Sequence, residues 1–356
     1  MGNASPTSPG AGGAQCPDAM LADILERPLR NLRLSVTDRC NLRCTYCMPE
    51  EDYIWLQRDD LLSFEEICTL VDVFVAQGVD KLRLTGGEPL LRRDLPALVS
   101  SLAARGDLRE IALTTNGLRL AAEGPGLLAS GLDRFTVSLD TLRPDRFKVL
   151  TRRDDLRSVL AGLRAVAHSP RLKLNTVVLR GVNEDELCDL IRFGCDIGAE
   201  VRFIEYMDVG GANRWSPEEV VGRERILELV STELGAIEAI APDGPAPAAR
   251  YRLSDGTVFG IVASVSAPFC SSCDRSRLTA DGQWFRCLYA LEGTDLRGPL
   301  RAGASRAQLE ALILAGWKSR ADRGAEERKA LARRDAALTA ESGRDDPHLE
   351  MHTRGG

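Results

Sequence analysis

Extended and helical segments alternate along residues 30–207 of this 356-residue chain. Runs of strand-forming residues with alternating apolar and polar positions predict six strands. They are predicted at Leu32–Thr37, Lys81–Thr85, Glu110–Thr115, Arg134–Leu139, Leu172–Leu179 and Val201–Met207. Because helical patterns follow these strands, the sequence predicts a parallel α/β sheet, either open and doubly wound or closed into a complete or incomplete barrel.

The first helix has a clear start signal. Ser63 and Glu66 are spaced as a capping box, and apolar residues from Ile67 to Val75 continue the helical pattern up to Gly78. Further helices are predicted over Leu95–Ala104, Leu156–Ala167 and Glu184–Phe193.

Polar side chains occupy one face of four predicted strands. On the second strand, Lys81, Arg83 and Thr85 alternate with leucines, and the same pattern places Arg33 and Lys173 on the polar faces of the first and fifth strands. A small barrel filled by side chains would carry aliphatic residues inside, and a sheet covered on both sides would carry them on both faces. The pattern therefore favours a wide polar channel for an anionic ligand. An antiparallel sheet with one solvated face is the alternative.

The pattern changes after residue 210. A helix is predicted over residues 222–234, followed by a Pro/Ala-rich linker or loop at 241–249. Asp-Gly turns within 254–257 and 280–283 predict two hairpins, and residues 305–345 have a charged helical pattern. At the other end, the Gly/Pro/Ser-rich residues 1–20 predict a disordered leader.

Composition narrows the class of protein. Hydrophobic residues make up 44%, charged residues 28%, and the formal net charge is −6, which argues against a nucleic-acid coat or a membrane-surface protein. No segment approaches the roughly 20 apolar residues of a spanning helix. The first residues lack a signal-peptide layout, and Pro6 spoils the myristoylation pattern that Gly2 begins. We therefore expect a cytoplasmic protein.

Six of the ten cysteines are clustered in two groups. The first triad is Cys40, Cys44 and Cys47, and it directly follows the first strand. Three thiolates at this spacing can bind three irons of a cubane cluster and leave the fourth iron without a protein ligand. Zinc would need a fourth ligand, and the three histidines are distant in sequence.

The second triad is Cys270, Cys273 and Cys287, and it also lacks a nearby histidine. The Asp-Gly turn before Cys287 is expected to fold this residue back toward the other two. The alternative is a zinc ribbon that takes Cys188 or Cys195 as its fourth ligand. Otherwise these two cysteines are expected to be buried thiols without a role, and Cys16 in the leader is expected to be inert.

The first triad, with Tyr46 before its last cysteine, resembles the motif of the radical S-adenosylmethionine (SAM) superfamily. Residues 85–89, Thr-Gly-Gly-Glu-Pro, resemble the segment that binds the SAM amino group in that superfamily. The glycines give this motif a physical reason, because they let the backbone approach a ligand closely.

Residues 30–356 resemble the GTP 3′,8-cyclase family, whose members catalyse the first step of molybdenum cofactor biosynthesis. The matching segments are residues 40–49, 83–93, 113–117, 137–140 and 202–208, together with the second triad and the terminal Gly-Gly. The resemblance implies an incomplete (β/α)6 TIM-type barrel with a C-terminal α+β extension that closes the barrel mouth. It also implies a 4Fe–4S cluster on each triad, a radical SAM barrel over 21–235, and a segment over 236–356 for the second cluster and the substrate.

The resemblance also implies roles for individual residues. SAM contacts would fall on Tyr46, Gly87, Ser138 and Met207. GTP contacts would fall on Arg33, Arg83, Thr114, Lys173, Arg275, Ser276 and Arg277, with Lys81 beside Arg83. The catalytic group would comprise Cys40, Cys44, Cys47, Arg275 and Arg277. Arginines suit this substrate, because a triphosphate carries about four negative charges near neutral pH and charge-assisted contacts hold it strongly.

The implied reaction converts GTP to (8S)-3′,8-cyclo-7,8-dihydroguanosine 5′-triphosphate. A 5′-deoxyadenosyl radical from SAM would remove the ribose 3′ hydrogen, the second cluster would hold the guanine, and Gly355-Gly356 would project into the pocket. The implied partners are an electron donor such as flavodoxin or ferredoxin and, downstream, cyclic pyranopterin monophosphate synthase. A monomer or homodimer is expected, without nucleic acid or membrane.

Two other interpretations remain open from the sequence. One is a two-cluster radical SAM enzyme that modifies a peptide, although such enzymes usually carry more C-terminal cysteines. The other is a non-catalytic iron–sulfur or zinc protein, which would leave residues 85–89 and the interior cations without a role.

Overall fold

One continuous sheet contains twelve strands of the described residues. The computed structural model describes residues 21–209, 215–242, 244–331, 348 and 350–355. The central strands are β1 (Asn31–Ser35), β2 (Lys81–Thr85), β3 (Glu110–Thr115), β4 (Arg134–Ser138), β5 (Lys173–Val178) and β6 (Glu200–Glu205). They lie side by side in chain order and are all parallel. A doubly wound sheet would reverse its order at a switch point, so the predicted partial barrel is confirmed.

Helices cover the outer face of these strands. They are α1 (Phe64–Ala76), α2 (Leu95–Ala103), α3 (Leu120–Ala129), α4 (Pro144–Thr151), α5 (Leu156–Ala165), α6 (Leu187–Asp196) and α7 (Arg223–Leu234). The predicted capping box of α1 is present, because Glu66 N donates to Ser63 Oγ at 3.1 Å and Ser63 N donates to Glu66 Oε2 at 2.7 Å.

Strand register confirms the predicted polar face. Leu32 pairs with Leu82, and both are buried in the apolar core between strands and helices. Their neighbours Arg33 and Arg83 are also paired, so they lie together on the opposite face. This inner face of the partial barrel is called the channel below. The antiparallel alternative is wrong, because all six central strands run in the same direction.

The C-terminal segment covers both edges of the six-stranded core. Its strands are β7 (Ile237–Ile240), β8 (Ala249–Leu253), β9 (Val258–Val262), β10 (Arg275–Leu278), β11 (Gln283–Phe285) and β12 (Thr294–Asp295). Strand β9 pairs in parallel with β6, and β10 pairs in parallel with β1. Both predicted hairpins are confirmed, since β8–β9 and β10–β11 are antiparallel.

Three further helices follow the second hairpin: α8 (Arg297–Arg301), α9 (Arg306–Lys318) and α10 (Gly324–Ala330). The later part of the predicted helical stretch, the leader with Cys16, and Gly356 lie outside the described residues. The Pro/Ala-rich stretch connects two antiparallel neighbours, β7 and β8, and is therefore a loop. None of the described helices has both the length and the apolar run needed to cross a bilayer.

One prediction about the scattered cysteines is wrong. Cys188 is buried as expected, but Cys195 is exposed. It lies near the end of α6 and its Sγ is 3.9 Å from Thr257 Oγ1. The outward-facing side of an amphipathic helix exposes it, since Leu190 and Ile191 occupy the buried side.

Candidate active site

The first triad lies in a loop after β1, at the carboxyl end of the strands. A tight turn brings its last two cysteines together, because Cys47 N donates to Cys44 O at 3.0 Å. The loop is fixed against the end of α4, where Thr45 N donates to Leu150 O at 2.9 Å and Arg43 N donates to Thr151 O at 3.0 Å. These bonds hold the thiols in place through the backbone.

The three cysteines are half-buried and close enough to act on one another electrostatically. Burial raises the pKa of Cys44 well above its usual value, and the neighbouring Cys47 and Cys40 raise it further. Burial, followed by the Glu88 carboxyl, raises the pKa of Cys40 to about 11. In the described part of the chain, no three Cys, His, Asp or Glu side chains are grouped as ligands of a single metal ion. Thiols that repel one another as anions around one centre suit a larger cationic group, because metal coordination deprotonates a thiol.

The Gly86-Gly87 turn packs directly on this cysteine loop. Gly87 N donates to Thr37 O at 3.0 Å, and Glu88 N donates to Arg39 O at 2.7 Å. A Cβ added to Gly87 would lie 2.5 Å from Asp38 O, so only glycine permits this approach. The turn after β2 therefore sets the position of the loop after β1.

Glu88 and Asn116 connect the same loop to β3. Glu88 is fully buried and accepts hydrogen bonds from Thr115 Oγ1 and Asn116 N, both at 2.7 Å. Burial raises the pKa of Glu88 to about 7. Asn116 Oδ1 accepts from Leu118 N at 3.1 Å, which directs Nδ2 toward Cys40 Sγ at 3.9 Å. Our sequence analysis assigned neither residue a role, although both lie within the quoted motifs.

Two of the residues expected to contact SAM line one cleft. Tyr46 and Ser138 border one small cleft, together with Cys44 and Asp140. Tyr46 OH donates to Asp140 Oδ2 at 2.6 Å, and burial raises the pKa of Asp140 to about 6. The other two expected residues lie elsewhere on the strand ends: Gly87 follows β2, and Met207 follows β6.

Buried cations line the channel. Burial, followed by the nearby Arg277 and Arg275, holds the pKa of Arg33 well below its usual value. Burial and neighbouring guanidinium groups likewise lower the pKa of Arg83, whose Nη1 donates to Thr114 Oγ1 at 3.1 Å. Positive charges that destabilise one another inside a protein indicate a site for an anion.

The channel floor holds charges that sequence analysis did not assign. Burial, followed by Arg202 and Arg134, lowers the pKa of Lys173 to about 7. Arg134 forms an ion pair with Glu110, and Arg202 forms one with Glu200. Arg134 precedes the apolar Phe135 on β4, and Arg202 lies between Val201 and Phe203 on β6, so the alternation that would have indicated both arginines was present in the sequence.

The second triad lies beside the same channel. Cys270 and Cys273 flank a short turn before β10, and the β10–β11 hairpin returns the chain toward them before Cys287, as the Asp-Gly turn predicts. Arg275 Nη2 donates to Cys273 Sγ at 3.5 Å. Burial tends to raise the pKa of Cys273, but Arg275 and Arg320 outweigh it and lower the pKa to about 7.

The other predicted residues of β10 lie on both of its faces. Arg277 pairs with Arg33 in the strand register, so both side chains point into the channel. Burial, followed by Arg275, lowers the pKa of Arg277 to about 9. Ser276 pairs with Leu32 and is fully buried, so its side chain lies on the core face and only its backbone remains available to the channel.

The C-terminal tail lies in the channel against β1, β2 and β10. Arg33 Nη1 and Arg277 Nη1 both donate to Gly355 O at 3.0 Å. Ser35 Oγ donates to Thr353 O at 2.8 Å. A Cβ added to Gly355, whose φ is +69°, would overlap the Thr85 hydroxyl. The tail therefore lies against the strands that carry the channel cations.

Comparisons with known proteins match nearly the whole chain. Residues 34–194 match the Radical SAM superfamily, and residues 199–326 match Molybdenum Cofactor Synthesis C. GTP 3′,8-cyclase 1 of Mycobacterium tuberculosis is 53% identical over 349 residues, which are 96% of this chain and 97% of that protein. GTP 3′,8-cyclase of Acidothermus cellulolyticus is 44% identical over 339 residues, 92% of this chain and 91% of that protein.

Solved structures with the same fold are more distant in sequence. Streptococcus suis SuiB bound to S-adenosylmethionine superposes with a TM-score of 0.56 at 15% identity, covering 85% of this chain and 68% of SuiB. At this identity the likeness concerns the fold, which is that of a partial barrel with parallel strands.

Proposed function

Since this chain belongs to the GTP 3′,8-cyclase family of the radical SAM superfamily, we propose that it converts GTP to (8S)-3′,8-cyclo-7,8-dihydroguanosine 5′-triphosphate. This is the first step of molybdenum cofactor biosynthesis. The observation that carries the proposal is the position of two cysteine triads beside one channel whose paired cations Arg33 and Arg277 converge on the same point.

Each triad would hold a 4Fe–4S cluster. Cys40, Cys44 and Cys47 are half-buried neighbours, and Asn116 Nδ2 lies 3.9 Å from Cys40 Sγ, where it could donate to a thiolate. A reduced cluster held there would supply the electron that cleaves SAM, and the 5′-deoxyadenosyl radical from SAM would remove the ribose 3′ hydrogen. Cys270, Cys273 and Cys287 would hold the second cluster, which would receive the guanine.

The chain's own residues would position SAM. Tyr46 and Ser138 line the cleft beside Cys44, Gly87 belongs to the turn that packs against the cysteine loop, and Met207 follows β6. Tyr46 OH donates a hydrogen bond to Asp140 Oδ2 at 2.6 Å. This bond holds the tyrosine ring in place as one wall of the cleft. A closed wall limits access of water to a reactive intermediate.

The channel cations would position GTP. Arg33 and Arg83 lie on the neighbouring strands β1 and β2, and Lys173 lies on β5, with Thr114 held by Arg83. Arg275 and Arg277 would join them from β10 as the catalytic arginines, with Ser276 offering its backbone. Multidentate guanidinium contacts to a triphosphate would offset the repulsion that lowers the pKa values of these groups.

Further parts of the proposal concern partners and location. An electron donor such as flavodoxin or ferredoxin would reduce the enzyme, and cyclic pyranopterin monophosphate synthase would take the product. The enzyme would act as a monomer or homodimer in the cytoplasm, where its thiols stay reduced.

We divide the chain after Gly235, the C-cap residue of α7, into a radical SAM barrel and a C-terminal substrate segment.

Anaerobic reconstitution with iron and sulfide tests the proposal. We expect about eight irons per chain, from two cubane clusters, and SAM cleavage that depends on GTP and yields 5′-deoxyadenosine and the cyclised nucleotide. Bound zinc without SAM cleavage would refute it in favour of a scaffold protein. Cleavage with a peptide but not with GTP would favour a peptide-modifying enzyme.

A matched pair of variants tests the substrate site. Arg277→Ala is expected to weaken GTP binding while SAM still binds. Arg192→Ala is the control, because Arg192 is an exposed residue of α6 that pairs with Asp189 and Glu233. Equal GTP affinity in the two variants would contradict the assignment of Arg277.

A further inference from the structure

Two arginines and one aspartate form a buried charged group behind the second triad. Arg27 Nε donates to Asp23 Oδ2 at 2.6 Å, and Arg320 Nη1 donates to the same oxygen at 3.3 Å. The side chains of all three are at most 1% exposed. We call these residues the clamp.

The clamp binds the backbone of the turn that carries the cysteines. Arg27 Nη1 donates to Cys270 O at 2.9 Å, and Arg320 Nη1 donates to Cys273 O at 2.8 Å. Both ends of the Cys270–Cys273 turn are therefore fixed by guanidinium groups. Trp317 supports them, since its Nε1 donates to Arg27 O at 3.0 Å and its ring lies 4.4 Å from the Arg320 guanidinium carbon.

The clamp carries an excess of positive charge. Two guanidinium groups share the Asp23 carboxylate, and the only further acidic partner of either group among the described residues is Asp322, whose Oδ2 lies 3.9 Å from Arg320 Nε. Neither guanidinium group can lose its proton at physiological pH. Burying such an excess is unfavourable unless a negative partner is close. Arg275 adds to the excess, because its Nη2 lies 3.5 Å from Cys273 Sγ. A group of net negative charge at the second triad would compensate these cations.

The first triad has the opposite surroundings. Its nearest buried ionisable neighbours include the carboxyl groups of Glu88 and Asp140, the latter bonded to Tyr46 beside Cys47. Carboxyl groups predominate around the first triad, although Arg43 lies near Cys40. Guanidinium groups predominate around the second triad, although Glu326 lies near Cys270. Net charge and hydrogen bonds to sulfur are among the factors that set the reduction potential of an iron–sulfur cluster.

We propose that Asp23, Arg27 and Arg320 are positioning residues that hold the Cys270–Cys273 turn and make the cluster on the second triad easier to reduce than the cluster on the first. This inference rests on the proposed function, because it requires a cluster on each triad. Its physical basis is that an added electron is stabilised by nearby positive charge and destabilised by nearby carboxylates.

Redox titration of the reconstituted full-length enzyme, monitored by electron paramagnetic resonance, tests the inference. The variants are Arg320→Gln, which removes the charge, and Arg320→Lys, which keeps it. Arg306→Gln is the control, because Arg306 is exposed and pairs with Glu310 on the surface of α9. The first cluster is identified by the change in its signal when SAM is added, and iron content is measured in parallel.

We expect the wild-type second cluster to be reduced at a higher potential than the first. In Arg320→Gln, its reduction equilibrium should shift about tenfold toward the oxidised form, which is about 59 mV for one electron. Arg320→Lys and Arg306→Gln should stay close to wild type, and the first cluster should not change. Loss of about four irons from Arg320→Gln but not from Arg320→Lys would also support the clamp.

Two results would overturn the inference. Equal second-cluster potentials in all variants at full iron content, or a wild-type second cluster that is harder to reduce than the first, would refute it and leave the proposed function intact. A wild-type enzyme without iron on the second triad would refute both. Iron content therefore separates the two failures.

Discussion

Replacing Gly87 by alanine should disturb the site through the backbone alone. The added Cβ would lie 2.5 Å from Asp38 O and 2.6 Å from the carbonyl carbon of Arg39. Both atoms belong to the backbone of the loop that leads into Cys40. No flexible side chain can move aside, so the turn after β2 and the cysteine loop must separate.

The size of the effect follows from the overlap. Favourable contacts between carbon atoms lie near 3.5–4.0 Å, so a shift of about 1 Å is needed. Overpacking of this kind costs about 1–3 kcal/mol, and the rigid surroundings place Gly87→Ala near the upper end. A misplacement of about 1 Å near reacting groups lowers turnover about 100-fold.

Gly126→Ala is the matched control. Gly126 is an exposed residue of α3, and an added Cβ meets nothing within 4 Å. Removing a helical glycine should stabilise this variant by about 0.5–1 kcal/mol. Anaerobic urea unfolding and 5′-deoxyadenosine formation are measured for both variants. A Gly87→Ala enzyme with the unfolding midpoint and turnover of wild type would refute the close packing described here.

Three further predictions follow from buried groups. Burial lowers the pKa of Lys173 from 10.5 to about 7. Because a bound triphosphate would favour the charged form of Lys173, GTP affinity should fall as the pH rises above 7, by at most tenfold per pH unit. Calorimetry from pH 7 to 9 measures this, and a flat wild-type profile would contradict it; Lys173→Arg should flatten the profile. Glu88→Gln should lower the free energy of unfolding by about 1–3 kcal/mol, because an amide N–H would face the Asn116 N–H in one orientation or the Thr115 and Leu90 donors in the other. An unchanged urea midpoint would disprove it. Gly355→Ala should expel the tail from its place at Thr85, reducing GTP-dependent cleavage while SAM still binds, and unaltered cleavage rates would count against that placement.

Local patterns predicted the six central strands and their polar face, since alternation is a property of each strand alone. The hydrophobic pattern did not predict every helix, because in some segments the local signals conflict. Helix α3 contains Pro125 and has only a weak apolar stripe, and sequence analysis named no helix there. Cys195 shows the limit of residue type as a guide, because a cysteine on the outer side of α6 is exposed.

Contacts between distant segments could not be predicted from the sequence. The clamp joins Asp23 to Arg320 across 297 positions, and neither residue belongs to a motif. The pairing of β1 with β10 joins residues 244 positions apart, since Asn31 pairs with Arg275. The side of the sheet on which a channel residue lies is easier to predict, because Arg134 and Arg202 alternate with apolar residues as Arg83 and Lys173 do. Their ion pairs with Glu110 and Glu200 depend on strand order, which local patterns do not fix.

The placement of β9 and β10 at opposite edges of the barrel has a consequence during translation. Asn31 and Asp274 are separated by 243 positions, so β1 leaves the ribosome long before its outer neighbour exists. At about 5–20 residues per second, that interval lasts roughly 12–50 seconds. Throughout it, an unpaired edge strand is open to other nascent chains. Recombinant production should therefore benefit from slower initiation or added chaperones, and truncations ending before β10 should be recovered mainly as inclusion bodies.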